Sequence, residues 1–104
     1  MKHYILFLEF SDSYLEKRDT VRNAHLSKAW EAVERGELIL AGALTDPIDG
    51  AIILFSANGT EAAEQFALND PYVQNGLVKK WHVRKWHTTV GLDASSPVRP
   101  STPS

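Results

Sequence analysis

The chain has 104 residues, of which 43% are hydrophobic, and its 11 Lys and Arg against 13 Asp and Glu leave a formal net charge of −2. This length suits one domain with a real core, and the hydrophobic content excludes global disorder. Without a basic surplus for phosphate contacts, we expect no nucleic-acid partner. The lack of cysteine excludes disulfides, thiolate nucleophiles and cysteine-based metal sites, and we expect a cytoplasmic protein with no membrane partner.

The N-terminal part of the chain predicts a strand followed by a helix. Residues 3–10 are apolar and rich in aromatic side chains, as in a buried strand. Ser13 and Glu16 have the spacing of a capping box, and a helix is expected from about residue 19 to Arg35, with Gly36 as its C-terminal cap. The apolar stripe of this helix is expected to consist of Leu26, Ala29, Trp30 and Val33.

The rest of the chain predicts a hairpin, a second helix and a last strand. Residues 38–44 and 51–55 are apolar strands, separated by a segment whose proline and glycine are typical of a turn. A helix is expected over residues 61–68 and a strand over residues 81–88. The order strand, helix, strand, strand, helix, strand indicates an α+β fold of the ferredoxin-like βαββαβ type.

The predicted strands are apolar at almost every position, so both faces of the sheet need cover. The two helices cover one face, and a homodimer that packs sheet against sheet would cover the other. From about residue 92 the composition changes to small and polar residues with proline. We therefore expect a folded domain over residues 1–91 and a flexible Ser/Pro-rich tail over residues 92–104.

Two residues, His25 and Asp70, could together form an acid–base pair. An imidazole can exchange a proton near neutral pH, and a carboxylate can orient the ring and stabilise its protonated form. Each residue also has a structural alternative. His25 could be a partly buried histidine bonded to a backbone carbonyl, and Asp70 could cap a helix whose first residue is Pro71. The two roles of Asp70 are compatible, since one carboxylate oxygen can cap while the other orients His25.

Arg22 is the candidate for substrate binding, because it lies three residues before His25 on the same helical face. It could bind a substrate carboxylate or phenolate, although it could also be a solvated residue or pair with Asp19. No metal is expected, because His82 and His87 lie on opposite faces of a strand and cannot chelate one ion locally. The glycines lack the spacing of a phosphate-binding loop, so no nucleotide and no other cofactor is expected.

Five short motifs in order resemble the family of YCII-related (YciI-like) proteins over about residues 2–90. These motifs are Arg22, His25 and Leu26; Gly36-Glu37-Leu38 leading to Ala41-Gly42; Gly50 before an apolar strand; Asp70-Pro71-Tyr72; and Trp86. The resemblance implies a dimeric α+β barrel of ferredoxin-like subunits, with a cleft between helix and sheet. It also implies that His25 and Asp70 form an acid–base pair, and a branch of the family is linked to dehydrochlorination of chlorinated ring compounds. One departure is Ala43, where many relatives have proline.

These observations lead to two hypotheses of function. The first is a cofactor-free enzyme that carries out proton transfer, elimination or isomerisation on a small cyclic organic substrate. In it, His25 is the general base or acid, Asp70 is its orienting partner and Arg22 anchors the substrate. The alternative is a non-catalytic dimeric module that binds a small molecule or a partner protein through the same cleft. Hydrogen-bond contact between His25 and Asp70 inside a cleft would favour the enzyme.

Overall fold

A computed structural model describes residues 1–101 as an antiparallel sheet of four strands with helices on one face. The elements are β1 (Lys2–Phe10), α1 (Tyr14–Glu34), β2 (Leu38–Ala43), β3 (Gly50–Ala57), α2 (Glu61–Asn69), α3 (Pro71–Gln74) and β4 (Val78–Trp86). The strand order β2-β3-β1-β4 is that of the ferredoxin-like pattern. The predicted α+β class and the predicted hairpin of β2 with β3 are both confirmed.

The alternation of side chains along β1 decides which face of the sheet the helices cover. Tyr4, Leu6, Leu8 and Phe10 are buried in the core, where they pack with residues of the helices such as Phe66. Because successive side chains of a strand point to opposite faces, the residues between them belong to the other face. Burial of each large apolar side chain contributes about 1.5–3 kcal/mol, so this alternation fixes the orientation of the sheet.

The face of the sheet away from the helices, here called the open sheet face, is also rich in apolar side chains. The ladder pairs Ile5 with Leu54 and Phe7 with Ile52, so these four share this face. Its apolar members, including two near its margins, are Ile5, Phe7, Leu40, Ile52, Leu54 and Trp86. The first two are half-buried, whereas Leu40 is 71% exposed. In a single chain, water therefore reaches these apolar side chains. That a second copy of the chain covers this face stays a prediction.

Helix α1 begins at Tyr14, so the predicted start at about residue 19 is wrong. The ring of Tyr14 stacks on Phe10, with 3.6 Å between the ring centroids, and meets Tyr72 edge-on. This burial stabilises an extra first turn that no apolar periodicity in the sequence reveals. The expected capping box is also absent from the part of the chain described, because the Ser13 hydroxyl hydrogen-bonds to that of Ser11 instead.

The buried face of α1 also differs from the predicted apolar stripe. Leu26 and Trp30 are exposed, with Trp30 63% accessible, so their assignment to the core was wrong. Ala29 and Val33 were assigned correctly, because both pack against the core. The helix turns a face centred on Ala29 towards the sheet, and this rotation leaves its bulkiest apolar residue outside.

The C-terminal boundaries of the elements show smaller differences. The predicted cap at Gly36 is confirmed: its φ is 78°, and the next amide, that of Glu37, donates to the carbonyl of Ala32 as in a Schellman motif. The short helix α3 was not assigned its own element, and β4 begins three residues before the predicted start and ends at Trp86. Among residues 1–101, no helix is long and apolar enough to cross a membrane. A cytoplasmic location stays a prediction.

The segment after β4 folds back on itself through hydrogen bonds. The amides of Ser96 and Val98 donate to the carbonyls of Thr88 and Thr89. Hydrogen-bonded structure therefore continues past the predicted domain boundary at residue 92. The sequence did not indicate it, because these contacts involve backbone groups rather than apolar burial. The flexibility predicted for residues 92–101 stays a prediction, and the last three residues of the predicted tail lie outside the described chain.

Candidate functional site

A cavity of about 160 Å³, here called the site cavity, lies between α1 and the core face of the sheet. Small side chains at Ala41, Ala43 and Ala51 line it on the sheet side. They share the core face because Ala41 pairs with Ile53 and Ala43 pairs with Ala51 across the β2–β3 ladder. A methyl group extends only a short way from the sheet, so space remains beneath the helix.

The helix side of the site cavity carries an unusual set of polar residues. Tyr14, Arg18, Arg22 and His25 all line it. Their spacing of four, four and three residues places them on one face of α1, which is also the face turned towards the sheet. Tyr14 is buried, Arg18 and His25 are half-buried and Arg22 is exposed. Polar groups therefore occupy three positions that a packed helix would normally give to apolar residues.

His25 and Asp70 are in direct contact. The Nδ1 atom of His25 lies 2.7 Å from Oδ1 of Asp70, whose side chain is fully buried. The amide of Tyr72 donates to the same oxygen at 3.0 Å. Because an ionised carboxylate only accepts hydrogen bonds, His25 donates from Nδ1 and its Nε2 atom carries the free lone pair. This tautomer is the one in which Nε2 can accept a proton.

Asp70 holds its position because it is also the N-cap of α3, with Pro71 as the first helical residue. The predicted helix start and the predicted contact with His25 therefore occur together. The expected division between two oxygens was wrong, since Oδ1 serves both Tyr72 and His25. The imidazole also stacks on the ring of Tyr72. Within residues 1–101, the buried Oδ2 atom has no hydrogen-bond partner.

Aromatic rings fix the orientation of His25. Its ring centroid lies 3.9 Å from that of Tyr72 with the planes nearly parallel, and Phe66 approaches it edge-on. Burial and the neighbouring Tyr14 raise the pKa of Tyr72 to about 12, against the opposing positive charge of the nearby arginines. Tyr72 is therefore a neutral phenol at physiological pH, and it forms an uncharged wall beside the imidazole.

The structure brings the three sequence-predicted residues to one place: Arg22 lines the same cavity as His25, and Asp70 contacts His25 directly. It adds Tyr14 and Arg18, which the sequence analysis missed because both precede the predicted start of the helix. The available signal was the four-residue spacing that leads back from Arg22 through both positions.

Two of the three remaining histidines, His82 and His3, have partners of their own. The ring of His82 stacks on Phe7, and Nδ1 of His3 lies 2.7 Å from the hydroxyl of Thr88. Across residues 1–101, no three His, Cys, Asp or Glu side chains come close enough together to hold a metal ion. That the protein needs no cofactor stays a prediction.

Comparison with known proteins relates the chain to one family. The YCII-related domain matches residues 1–87. Protein YciI of Escherichia coli O6:H1 is 30% identical to this chain, and the match covers 78% of this chain and 92% of YciI. The domain match over residues 1–87 includes the elements that carry His25, Asp70 and both arginines of the site cavity.

Solved structures show the same fold at low sequence identity. One is the 5-chloro-2-hydroxyhydroquinone dehydrochlorinase TftG of Burkholderia phenoliruptrix AC1100, in complex with 2,5-dihydroxybenzoquinone. It is 17% identical, with a TM-score of 0.69 over 83% of this chain and 94% of TftG. A NIPSNAP family protein of Agrobacterium tumefaciens str. C58 is also 17% identical, with a TM-score of 0.54 over 93% of this chain and 97% of its own.

Proposed function

This chain belongs to the family of YCII-related domains, and we propose that it is a cofactor-free acid–base enzyme acting on a small cyclic organic substrate. The reaction is a proton transfer, an elimination or an isomerisation, with His25 as the general base or acid. The observation that carries the proposal is the 2.7 Å contact between Nδ1 of His25 and Oδ1 of Asp70 at the wall of a cavity.

The contact suits proton transfer because it leaves Nε2 of His25 as a lone-pair acceptor. Nε2 takes a proton from the substrate, and the electron pair of the broken bond forms a new double bond or an enolate. The positive imidazolium that results is stabilised by the buried carboxylate of Asp70. In an isomerisation the imidazolium returns the proton to another substrate atom, and in an elimination the electron pair expels a leaving group.

The walls of the cavity suit a ring-shaped substrate. Tyr14, Phe66 and Tyr72 supply aromatic surface, and an apolar cavity of about 150 Å³ is enough to hold benzene. Arg22 stands on the same wall as His25 and would anchor a polar group of the substrate. TftG, which has the same fold, is a dehydrochlorinase of a chlorinated hydroxyhydroquinone. Its activity supports a cyclic substrate and an elimination for this chain.

We also propose that the working form is a homodimer packed through the open sheet face, as a dimeric α+β barrel. The support is the exposure of apolar side chains there, with Leu40 71% and Trp86 50% accessible in a single chain. Sedimentation should give a dimer at micromolar concentration and a shift towards monomer for Leu40→Glu. The matched control Leu68→Glu lies on α2, on the other side of the sheet, and should stay dimeric. A monomeric wild-type protein would contradict the proposal.

The chemistry is tested by a screen of small cyclic compounds for thermal stabilisation, followed by turnover of each hit in deuterated water. We expect at least one hit to incorporate solvent deuterium or eliminate a leaving group. His25→Asn should lower its turnover by roughly 10²- to 10⁴-fold, the range of a general base. Asparagine is chosen because its amide can still donate to Asp70, whereas alanine would leave a buried carboxylate without that partner.

The outcome of the screen also separates the enzyme from the binding module. Hits that bind at the cavity but never turn over would favour a non-catalytic module. Full turnover in His25→Asn would contradict the acid–base assignment.

A further inference from the structure

Arg18 is a charged residue of the site cavity, and its Nε atom is buried without a hydrogen-bond partner among the residues that the structure describes. The Arg18 side chain as a whole is 30% exposed. The nearest carboxylate oxygen, Oδ1 of Asp19, lies 3.7 Å away on a side chain that is 87% exposed. That distance is too long for a hydrogen bond, and an ion pair in water contributes little. Part of the guanidinium is therefore withdrawn from water without an acceptor.

The guanidinium of Arg18 lies beside the ring of Tyr14, which also lines the cavity. Its Cζ atom lies 5.8 Å from the centroid of the Tyr14 ring, within the range of a cation–π contact. The charges of Arg18 and Arg22 both act on the phenol of Tyr72 and oppose the rise of its pKa. Two guanidinium groups and two phenols therefore line the same part of the cavity, with Arg22 about one helical turn and Arg18 about two turns from His25 along α1.

The charge of the cavity wall is one-sided. Among the described residues, its lining includes two arginines and a histidine but no acidic side chain. Asp70 does not line the cavity, and its Oδ1 accepts hydrogen bonds from the His25 ring and from the Tyr72 amide. A wall with two guanidinium groups and no carboxylate favours a negatively charged ligand, because each guanidinium can donate two parallel hydrogen bonds to a carboxylate.

We propose that Arg18, acting with Arg22, binds the negative group of a monocyclic anion whose ring lies against Tyr72 and His25. The ligand carries a carboxylate or an ionised ring hydroxyl at the arginine end. On the sheet side of the cavity, the side chains of Ala41 and Ala43 are single methyl groups, and the volume of about 160 Å³ leaves room for one ring. The inference rests on the proposed function only in using the same cavity, and it makes the anionic group a requirement for binding.

Calorimetric titration with benzoate and benzamide tests the inference, because the two probes have nearly the same shape and differ in charge. We expect the wild-type chain to bind benzoate at least about tenfold more tightly than benzamide, as for a charge-assisted hydrogen bond. Arg18→Gln should remove most of that preference while leaving the weaker affinity for benzamide unchanged. The matched control Arg35→Gln removes the same charge from the end of α1, outside the cavity, and should keep the preference.

Several results would overturn the inference: no benzoate binding, equal affinities of the wild-type chain for the two probes, or an unchanged benzoate preference in Arg18→Gln. The melting temperature of each variant shows whether it folds, and Arg18→Lys, which keeps the charge without the planar fork, should show an intermediate preference. His25→Asn, which removes a ring from the cavity wall, should weaken benzoate and benzamide alike and keep the preference for benzoate. A failure of anion selectivity therefore overturns this inference alone, whereas a failure of turnover overturns only the proposed chemistry.

Discussion

His25 and His3 make hydrogen bonds of the same length in very different surroundings. Each ring has Nδ1 at 2.7 Å from a side-chain oxygen, that of the Asp70 carboxylate for His25 and that of the Thr88 hydroxyl for His3. Both also border open space, since His3 lies beside a depression of about 450 Å³ near the open sheet face. Neither a short hydrogen bond nor a cavity is therefore enough to identify a reactive histidine.

The difference between the two histidines lies in the chemistry of the partner. A buried carboxylate stabilises an imidazolium, whereas a neutral hydroxyl does so only weakly. The Thr88 hydroxyl is also engaged by Ser95, whose amide donates to it at 2.8 Å. His3 therefore connects β1 to the C-terminal segment, and we interpret it as a structural residue. His25 lines a cavity on the same helix face as two arginines, and its partner is a carboxylate that can stabilise a positive charge on the ring.

The largest expected contrast is in turnover, when the partner of each histidine is replaced. Asp70→Asn keeps an oxygen for the Tyr72 amide but removes the charge that stabilises the imidazolium. We expect kcat to fall by at least about tenfold, and by less than in His25→Asn. Thr88→Val removes the partner of His3 and should leave kcat within about twofold, because no reacting atom depends on it. Steady-state kinetics on the substrate found by the screen measures both.

The reverse pattern would contradict the roles assigned to the two histidines. If Thr88→Val lowered kcat as much as Asp70→Asn, the reaction would depend on the open sheet face and the site would have to be moved there. Both variants should keep a single cooperative melting transition, so that loss of fold is not mistaken for loss of chemistry.

The next contrast is in stability at the His3 end. Thr88→Val leaves Nδ1 of His3 and the amide of Ser95 without their shared partner in a buried position. We expect a loss of about 1–3 kcal/mol in the free energy of unfolding, the cost of unsatisfied buried polar groups. Urea denaturation measures this loss. Thr88→Ser keeps the hydroxyl and should recover most of it, and an equal loss in both variants would contradict the assignment of this loss to the hydroxyl.

Part of the fold and of the site could be predicted from the sequence, and Arg18 shows where such prediction fails. The order of strands and helices was predictable because each element is a contiguous pattern, and His25, Asp70 and Arg22 stand at recognisable positions of such patterns. Arg18 was missed because α1 begins early only through the burial of Tyr14, whose partner Tyr72 lies far along the chain. A contact between residues so far apart is decided by the folded arrangement, although the four-residue spacing from Arg22 back to Tyr14 does mark the longer helix.

Trp30 is the opposite error, since a local pattern was present and the folded chain did not follow it. Its spacing to Ala29 and Val33 predicts a place in the core, yet the rotation of α1 leaves it exposed. The polar residues at the buried positions explain why. Arg18 and His25 extend the face that packs through Ala29 and Val33. Only these two members of the predicted stripe therefore pack, and Trp30 lies on the exposed side of the helix.

A smaller effect is expected at the C-terminal segment. A chain that ends at residue 93 loses the Ser95 contacts with Thr88 and the backbone bonds of Ser96 and Val98. Because water replaces part of these bonds, we expect a loss of about 1 kcal/mol, which corresponds to about 4–8 °C in melting temperature. A chain that ends at residue 98 keeps all of these bonds and should melt as the full chain does. An unchanged melting temperature in both truncations would show that the segment adds nothing to the stability of the sheet.

The smallest expected effect is on the pH dependence of stability and concerns Tyr72, whose ring stacks on His25. Burial raises the pKa of its phenol from 10.0 to about 12, so the folded chain holds this proton more tightly than the unfolded chain does. The resulting stabilisation is fully present below about pH 10 and is lost as the pH rises through about 12. Near-ultraviolet absorbance should show one phenol that ionises near pH 12 in the folded protein, and Tyr72→Phe should remove that step alone. If the late step persists in Tyr72→Phe, the phenol beside His25 reaches water, and the cavity wall there is less sheltered than the stacked rings indicate.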